Sequence, residues 1–259
     1  MTQWNAELYR ERSTLQQAMA AEVLQALEMT GSEGVLDVGC GDGRITLEIA
    51  RRVPKGYVVG VDASSHMIEL ASEKTAPALH FAVADARSLP FSHEFDLVVS
   101  FNALHWIPEQ DLALASIHLS LKPGATAYLR LVPMGPRKGI ETVLEETRNS
   151  ATWNEYFYEF RDPYIRLTEE EYCSLAQKSG FRVERVQTES KTWDFRTRAE
   201  FLAFSSVTMV EWTKSLPESL RSPFINDVLD KYQAVAVEKE GEENAFKFYQ
   251  MTALLKALA

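Results

Sequence analysis

Between residues 35 and 132 the chain alternates short apolar runs with segments of helical periodicity, and this alternation restricts the fold more than any other feature. The apolar runs cover residues 35–38, 57–61, 79–83, 95–101 and 126–132. The helical segments between them cover residues 43–52, 64–75 and 108–121. Strands that alternate with helices predict βαβ units and a parallel sheet. Because the runs are apolar almost throughout, we expect helices on both faces of that sheet.

The flanking segments extend this prediction. Residues 12–29 carry apolar side chains at helical spacing, which predicts a helix with one face on the core. Further helices are expected over 139–161, 168–178 (opened by a capping-box pattern at Thr168), 197–214 and 217–237. A sixth strand is expected over 181–192, and 246–259 fits either a seventh strand or a final helix. The expected organisation is an N-terminal helical lid (1–29), a cofactor-binding core (30–133), and remaining strands with helical cap insertions (134–259).

Composition argues against several classes of protein. The 259 residues are 46% hydrophobic and 25% charged, as in a globular protein. The net charge is −10 and no basic run of five or more occurs, which disfavours a nucleic-acid partner. No stretch approaches the roughly 18 apolar residues of a membrane span, and the first residues lack a signal-peptide pattern. Cys40 and Cys173 are interpreted as free thiols, so we expect a cytoplasmic monomer or homodimer without a metal site.

A glycine-rich turn follows the first apolar run, in the sequence Val35-Leu36-Asp37-Val38-Gly39-Cys40-Gly41-Asp42-Gly43. Glycines permit a tight turn and let a ligand approach the main chain closely. The helix beyond them offers free N–H groups and the positive end of its dipole, which suits a carboxylate or a phosphate. Taken alone, the glycines are equally compatible with a tight βα turn that binds nothing.

Two acidic residues end the next strands on the same rim. Asp62 closes the second strand about 20 residues after the turn, where a carboxylate can hold a ribose. Asp85 follows the third strand, where it could accept a hydrogen bond from an adenine amino group. Asp62 also fits a helix cap, because Ala63 and two serines follow it. Acidic side chains at neighbouring strand ends nevertheless favour a bound cofactor over an empty turn.

A nicotinamide cofactor is the first alternative. Its fingerprint spaces the glycines as GxGxxG, whereas this chain has GxGxG, so Gly43 comes one residue early. Asp37 lies two positions before the first glycine and could receive the amine of an amino-acid moiety, which NAD lacks. The residues therefore favour a cofactor with an amino-acid part.

Four segments together resemble the class I S-adenosylmethionine-dependent methyltransferases: residues 36–43, 60–64 with Met67, 84–86 and 121–125. The resemblance implies a Rossmann-like α/β fold, with a seven-stranded, mostly parallel sheet, helices on both faces and a helical substrate cap. It implies S-adenosylmethionine as cofactor, with the glycine turn along the methionyl part, Asp62 on both ribose hydroxyls and Asp85 on adenine. The predicted cofactor-binding residues are Asp37, Gly39, Cys40, Gly41, Asp62, Ala63, Met67, Asp85, Ala86, Asn102 and Ala103.

Two other segments are similar to trans-aconitate methyltransferases and related carboxyl methyltransferases, namely Trp4-Asn5 with Leu8-Tyr9 and residues 101–108. Juvenile-hormone-acid methyltransferases have a comparable Leu-His-Trp stretch. This resemblance implies O-methylation of a carboxylate on a small molecule. A carboxylate is ionised at neutral pH, since its pKa is about 4, and therefore needs no general base. It needs donors that hold it, and the candidates are Arg130, Arg137 and Arg161.

His105 follows the fourth strand, at the rim where a substrate is expected. It is a candidate for substrate contact or for a base towards a phenol or an amine; alternatively, it is a helix-start residue bonded to backbone. Trp106 is predicted to form a wall of the cofactor or substrate pocket, unless it belongs to the core. Trp4 and Tyr9 are predicted to form part of a lid that contacts cofactor and substrate, or else to anchor the first helix.

Three other functions stay open at this point: an NAD(P)-dependent oxidoreductase, a non-catalytic cofactor-binding or partner-binding protein, and a methyltransferase of macromolecules. The glycine spacing and Asp37 count against the first. The intact glycine turn and acidic rim count against the second, and the acidic charge counts against the third. The expected partner is a small-molecule substrate, with neither nucleic acid nor membrane.

Overall fold

Seven strands form one mixed sheet in the computed structural model, which describes residues 14–162 and 164–258. The strands are β1 (Gly34–Val38), β2 (Tyr57–Asp62), β3 (Leu79–Val83), β4 (Phe95–Phe101), β5 (Leu121–Leu131), β6 (Phe181–Asp194) and β7 (Ala245–Ala257). Their order is β3-β2-β1-β4-β5-β7-β6. The first five strands run parallel, and β7 lies antiparallel between β5 and β6. The predicted Rossmann-like α/β fold with a mostly parallel sheet is confirmed.

The helices connect these strands and also form a group of their own beyond β5. They are α1 (Thr14–Ala26), α2 (Arg44–Arg52), α3 (Ser65–Ser72), α4 (Gln110–Ser120), α5 (Ile140–Arg148), α6 (Glu169–Lys178), α7 (Arg198–Thr208), α8 (Val210–Thr213) and α9 (Glu218–Ala236). Short 3-10 turns lie at Ala86–Ser88, Leu104–Trp106 and Asn154–Phe157. None of the helices in the described ranges is long and apolar enough to cross a bilayer.

Successive residues of β1 point to opposite faces of the sheet and enter different apolar clusters. Leu36 belongs to the cluster that contains Leu114 of α4, and Val35 to the cluster that contains Val23 of α1. Both β1 residues are fully buried. Helices therefore cover the two faces of the sheet, as the nearly continuous apolar runs indicate.

The expected helix over 139–161 is wrong in its second half, because α5 ends at Arg148. Ser150 Oγ donates to the carbonyl of Thr147 at 2.7 Å, and Asn149 Nδ2 donates to the carbonyl of Glu145 at 2.7 Å. These side chains take backbone acceptors of the last turn and favour the exit of the chain. The aromatic residues that follow lie in turns and a 3-10 segment, with Trp153 and Phe157 buried.

The final segment forms the strand β7. The sequence pattern left open whether this segment is a strand or a helix, and the structure shows the strand. β7 pairs with β5 from Leu131 opposite Met251 to Thr126 opposite Lys256, and it pairs with β6 along its whole length. A position between two strands satisfies both backbone edges of β7, so strand is preferred over helix. The predicted capping box at the start of α6 is confirmed by reciprocal hydrogen bonds between Thr168 and Glu171.

A second apolar cluster, rich in aromatic side chains, lies beyond the parallel part of the sheet. Most of its members come from α5, α7, α8, α9 and the start of β7, including Phe201, Trp212, Phe224, Tyr232 and Phe246, and Trp153 joins them from the turns after α5. We call the helices α5, α7, α8 and α9 the cap. Leu15 of α1 also joins this cluster, so α1 contacts both the cap and the sheet.

Candidate active site

The glycine turn between β1 and α2 lies against the loop that follows β4. Gly39 and Cys40 donate backbone hydrogen bonds to the carbonyl of Val61, at 2.8 and 3.0 Å. Gly39 has φ +77, and an added Cβ would lie 2.2 Å from the Cβ of Ala103. A side chain at this position would therefore push the two loops apart.

Gly41 has a positive φ of +55, and apart from its two chain neighbours no atom of the described residues lies within 4 Å of the position that a Cβ would take. This face of the turn is thus open main chain beside a cavity. The backbone N–H of Gly41 donates to Asp62 Oδ2 at 3.0 Å, and that of Ser64 donates to Oδ1 at 2.9 Å. Burial raises the pKa of Asp62, although both hydrogen bonds act to lower it. Each carboxylate oxygen keeps a further lone pair for a ligand.

Asp37 lies beneath the turn and is buried, with 2% of its surface exposed. Thr46 Oγ1 donates to Asp37 Oδ2 at 2.7 Å. Burial raises the pKa of Asp37 to about 7, with a smaller contribution from the nearby charge of Asp62, while the Thr46 hydrogen bond opposes the increase. A buried carboxylate with this environment favours a cationic partner, because a positive charge stabilises its ionised form.

A cavity of about 830 Å³ runs along the turn and the ends of the first four strands. All eleven residues predicted to bind the cofactor contribute to its lining: Asp37, Gly39, Cys40, Gly41, Asp62, Ala63, Met67, Asp85, Ala86, Asn102 and Ala103. Trp106 lines it too, whereas Trp4 and Tyr9 lie outside the described residues. Burial raises the pKa of the Cys40 thiol, which favours its neutral form and a role as a small lining residue.

Asp85 lines the cavity but also has a protein partner. Arg87 donates to both of its carboxylate oxygens, at 2.6 to 3.1 Å, and also to Glu109 at 2.9 Å. The Arg87 hydrogen bonds lower the pKa of Asp85. The predicted contact with an adenine amino group therefore has to share this carboxylate with Arg87.

His105 does not line the cavity. Its side chain is buried, with 2% of the residue exposed, and Nδ1 accepts a hydrogen bond from the backbone N–H of Val132 at 3.3 Å. The ring lies 4.8 Å from that of Tyr164, measured between centroids. Burial, followed by the charge of Arg166, lowers the pKa of His105 to about 3. Of the two alternatives raised by the sequence, this geometry favours the residue bonded to backbone.

Helix α1 forms part of the cavity lining. The sequence predicted this helix from its periodicity but did not indicate that it lines the cavity. Six of its residues line the cavity: Met19, Ala20, Ala21, Val23, Leu24 and Gln25. Glu22 on the same helix accepts from Arg130 at 2.8 Å and from Lys191 at 2.5 Å. Arg130, a candidate substrate clamp from sequence, is 3% exposed in its side chain and is committed to this ion pair.

Asn102 connects the loop after β4 to the neighbouring strands β5 and β7. It has φ +56, its N–H donates to the carbonyl of Arg130 at 2.8 Å, and its Oδ1 accepts from Gln250 at 3.0 Å. The left-handed backbone is accessible to asparagine at little cost. These bonds hold the loop after β4 in place beside the glycine turn.

The lining fits a cofactor that has a cationic amino-acid part and a ribose. The open face of Gly41 leaves room for an extended chain against the main chain, and buried Asp37 provides an anion for an ammonium. Asp62, at the end of β2, has acceptor capacity for hydroxyls. No group of three or more potential metal ligands occurs within residues 14–162 and 164–258.

Comparison with known proteins identifies the same part of the chain. Residues 35–124 match the family model of a methyltransferase domain. Trans-aconitate 2-methyltransferase of Deinococcus radiodurans is 31% identical over 146 residues, which cover 56% of this chain and 55% of that protein. Juvenile hormone acid O-methyltransferase of Drosophila melanogaster is 26% identical over 256 residues, which cover 92% of this chain and 86% of that protein.

A solved structure shares the fold. The phosphoethanolamine N-methyltransferase 2 of Haemonchus contortus, solved with S-adenosylhomocysteine, superposes with a TM-score of 0.60 at 19% identity and covers 95% of this chain and 53% of that one. The match at this identity concerns the fold. Together with the matched domain and the cavity lined by the glycine turn and the acidic strand ends, it supports one assignment. Residues 35–124 form a methyltransferase domain, and the chain is similar to the class I S-adenosylmethionine-dependent methyltransferases.

Proposed function

We propose that this methyltransferase acts on a carboxylate of a small molecule and produces its methyl ester. The observation that carries this proposal is the make-up of the cavity wall: in the described part of the chain, the lining includes no histidine, lysine or tyrosine. A phenol or an ammonium would have to pass its proton to one of the lining carboxylates, which are weak bases for that task because the pKa of a carboxylic acid is about 4. A carboxylic acid, with a pKa of about 4, is already ionised at neutral pH.

In this proposal the core residues hold the cofactor, which supplies a sulfonium methyl group when bound. The main chain of Gly39 and Gly41 lies along its methionyl part, and Asp37 faces the ammonium. Asp62 accepts from the ribose hydroxyls. The adenine lies among Ala63, Met67, Asp85 and Ala86. Cys40, Asn102 and Ala103 complete the wall beside the sulfur.

The remaining task of the protein is to orient the acceptor carboxylate in line with the methyl group and to exclude water. Trp106 forms part of that wall. His105 acts as a positioning residue, because its ring holds the segment Leu104–Trp106 to Val132 by a hydrogen bond. Trp4 and Tyr9, which lie outside the described residues, are proposed to contact cofactor and substrate as part of a lid.

The relatives support the acceptor class. The names of the two curated relatives describe enzymes that methylate carboxylic acids, one an O-methyltransferase of juvenile hormone acid and one a 2-methyltransferase of trans-aconitate. The acceptor of this chain is proposed from them at class level only. A cytoplasmic location is proposed with it, since Cys40 and Cys173 are both free, and a monomer or homodimer is proposed from the sequence alone.

Calorimetric titration with S-adenosylmethionine and S-adenosylhomocysteine tests the cofactor site. Micromolar binding is expected, with Asp62→Ala weakening it by about tenfold or more because charge-assisted hydrogen bonds are lost. Asp111→Ala is the matched control, since this exposed aspartate of α4 does not line the cavity. A screen of carboxylic acids for ester formation then tests the acceptor. Absence of heat in folded, cofactor-free protein contradicts the cofactor site; turnover of phenols or amines alone contradicts the carboxylate.

A further inference from the structure

The second half of the chain contributes a single residue to the lining of the cavity, within the part that the structure describes. That residue is Glu211, in the short helix α8 of the cap. Its neighbour Trp212 lies with its ring centroid 6.2 Å from that of Trp106, so Glu211 marks the end of the cavity formed by the cap and Trp106. The other lining residues come from the core and α1.

The carboxylate of Glu211 is buried but only partly satisfied. Its side chain is 9% exposed. Oε2 pairs with Lys214, one turn along the chain, whereas Oε1 is buried and accepts no hydrogen bond from any described group. Leaving such an acceptor without a donor is unfavourable, and more so when the group is charged. An acid retained at this cost calls for a donor from outside the protein.

Glu211 also borders a second pocket, together with Lys214 and Ser215, and its described neighbours are held by other hydrogen bonds. The indole N–H of Trp212 donates to Glu145 and not to Glu211. Thr213 Oγ1 hydrogen-bonds the carbonyl of Met209, so the turn of α8 is held without Glu211. Apart from its ion pair with Lys214, whose side chain is half exposed, the carboxylate makes no bond to another residue in the part of the chain that the structure describes.

The net charge of the cavity lining also favours an acceptor that carries a hydrogen-bond donor. Among the described residues, the lining contains six acidic side chains and two basic ones. The two arginines have partners already: Arg44 pairs with Asp42, and Arg52 donates to the carbonyl of Leu24. A polyanionic acceptor would therefore meet an excess of negative charge, which is unfavourable at short range in a cavity shielded from water.

We propose that Glu211 is the residue that selects the acceptor, by accepting a hydrogen bond from a hydroxyl or ammonium group that the acceptor carries in addition to its reacting carboxylate. The proposal rests on the proposed function, and it narrows the acceptor class to monocarboxylic acids with a second, hydrogen-bond-donating end. A second carboxylate at that end is excluded, because it would face Glu211.

Straight-chain monocarboxylic acids in matched unsubstituted, ω-hydroxy, ω-amino and ω-carboxy forms are the probes. Calorimetry on the protein saturated with S-adenosylhomocysteine measures their binding, and ester formation measures their KM. We expect the hydroxy or amino forms to bind about tenfold or more tightly than the unsubstituted acids, as for a hydrogen bond to a charged group. The ω-carboxy forms are expected to bind weakest.

Three variants separate recognition by Glu211 from a structural effect. Glu211→Leu should abolish the preference, and Glu211→Gln should keep it for the hydroxy form but lose it for the amino form. Lys214→Met should strengthen the preference for the amino form, since it removes the competing cation. Glu218→Gln, an exposed acid at the start of α9, is the matched control and should change nothing.

The outcomes distinguish this proposal from the proposed function. Affinity for S-adenosylhomocysteine should stay within about twofold in Glu211→Gln; a larger loss would assign the residue to the cofactor and overturn the proposal. Equal binding of all four forms, or a preference that persists in Glu211→Leu, would also overturn it. Failure of the wild-type protein to bind S-adenosylhomocysteine, or methylation of non-acids alone, would instead reject the proposed function.

Discussion

Thr46 donates a 2.7 Å hydrogen bond to Asp37 beneath the glycine turn, and both side chains are buried. Thr46 lies on the first turn of α2 and Asp37 near the end of β1, so the bond connects the strand and helix on either side of the turn. Because burial raises the pKa of Asp37 to about 7, this carboxylate changes charge within the physiological range. Its ionisation is therefore expected to be coupled to cofactor binding.

The first prediction concerns the pH dependence of cofactor affinity. If Asp37 faces the ammonium of the cofactor, affinity should rise as pH increases from about 6 to 8, because the ionised form binds the cation. Thr46→Val removes the hydrogen-bond donor that lowers the pKa of Asp37. The affinity of this variant for the cofactor should therefore fall most near pH 7. Asp37→Asn should bind weakly with a flatter pH profile. Calorimetry across this pH range measures the effect.

Thr147→Val is a suitable control for this series. Thr147 is also a buried helical threonine, but its hydroxyl bonds to Val143 in the cap. The same mutation there should leave the pH profile of binding unchanged. A wild-type affinity that does not vary between pH 6 and 8 would contradict the assignment of Asp37 to a cation.

Asp37 also predicts the sign of a stability change with pH. Its pKa in the folded protein lies above the unfolded value of about 4, so the folded state binds more protons between pH 4 and 7. The contribution of Asp37 to the free energy of unfolding is present below pH 4 and is lost as pH rises through about 7. Asp62, whose pKa is also raised, acts in the same direction. Urea unfolding of Asp37→Asn, compared with wild type between pH 4 and 7, isolates the contribution of Asp37 to the pH dependence of the free energy of unfolding.

A second prediction uses three glycines with positive φ in different surroundings. Gly39→Ala should destabilise the fold by about 2–5 kcal/mol, because it adds a clash with Ala103 to the cost of the left-handed backbone. Gly41→Ala should cost only about 1–2 kcal/mol of stability but should weaken cofactor binding strongly, since its Cβ enters the cavity. Gly124→Ala, in an open bend of β5, measures the backbone cost alone. Thermal unfolding and calorimetry separate these cases; full cofactor affinity in Gly41→Ala would contradict a cofactor along the turn.

A third prediction concerns the ion pair that holds α1 against the sheet. Glu22 neutralises Arg130, which is buried, and it also pairs with Lys191. Although burial raises the pKa of Glu22, the hydrogen bond from Lys191 and the charge of Arg130 lower it by more. Glu22→Gln should destabilise the protein by about 1–3 kcal/mol, because it leaves a buried guanidinium without its anion. Cofactor release should become faster, since α1 lines the cavity.

The double variant Glu22→Gln with Arg130→Met tests the cause of that loss. If the buried charge is responsible, the second change should recover much of the stability lost in the first. Glu28→Gln, which alters an exposed acid just beyond α1, serves as the control. An unfolding midpoint of Glu22→Gln equal to wild type would show that α1 does not depend on this contact.

A fourth prediction concerns His105. Its pKa is lowered to about 3, so the folded state binds fewer protons than the unfolded state between pH 3 and about 6.5. The stability it contributes is present above pH 6.5 and is lost as pH falls towards 3. His105→Gln, which keeps an acceptor for the N–H of Val132, should reduce this acid sensitivity and keep turnover. A bell-shaped rate profile near pH 6.5 that disappears in His105→Gln would instead identify a base.

The local patterns predicted much of the fold. Alternation of apolar runs with helices indicated β1 to β5 and the helices between them, and the capping-box residues Thr168 and Glu171 marked the start of α6. The sequence also indicated the residues of the glycine turn and the acidic strand ends, which line one cavity. These features depend on backbone propensity and on side chains within a few residues, which a single sequence displays.

The errors arose where neighbouring interactions competed with periodicity. The helix expected over 139–161 ends at Arg148 because Asn149 and Ser150 bond to the carbonyls of its last turn. Residues 246–259 carried no decisive period, and the place between β5 and β6 makes them a strand. A short apolar segment can satisfy its backbone hydrogen bonds as a helix or as a strand, so the segments packed beside it determine which one forms.

By itself the sequence determined the class of the fold, the turn with its glycines and the order of acidic residues along the rim. Only the tertiary structure decided which charges meet and which side chains reach the cavity. Glu22 and Arg130 are 108 positions apart, and Glu211 reaches the cavity only because α8 packs its neighbour Trp212 beside Trp106. The physical reason is that turns and periodicity reflect interactions between residues close in sequence, whereas burial, and the pKa and hydrogen-bond partners it sets, depend on how distant segments pack.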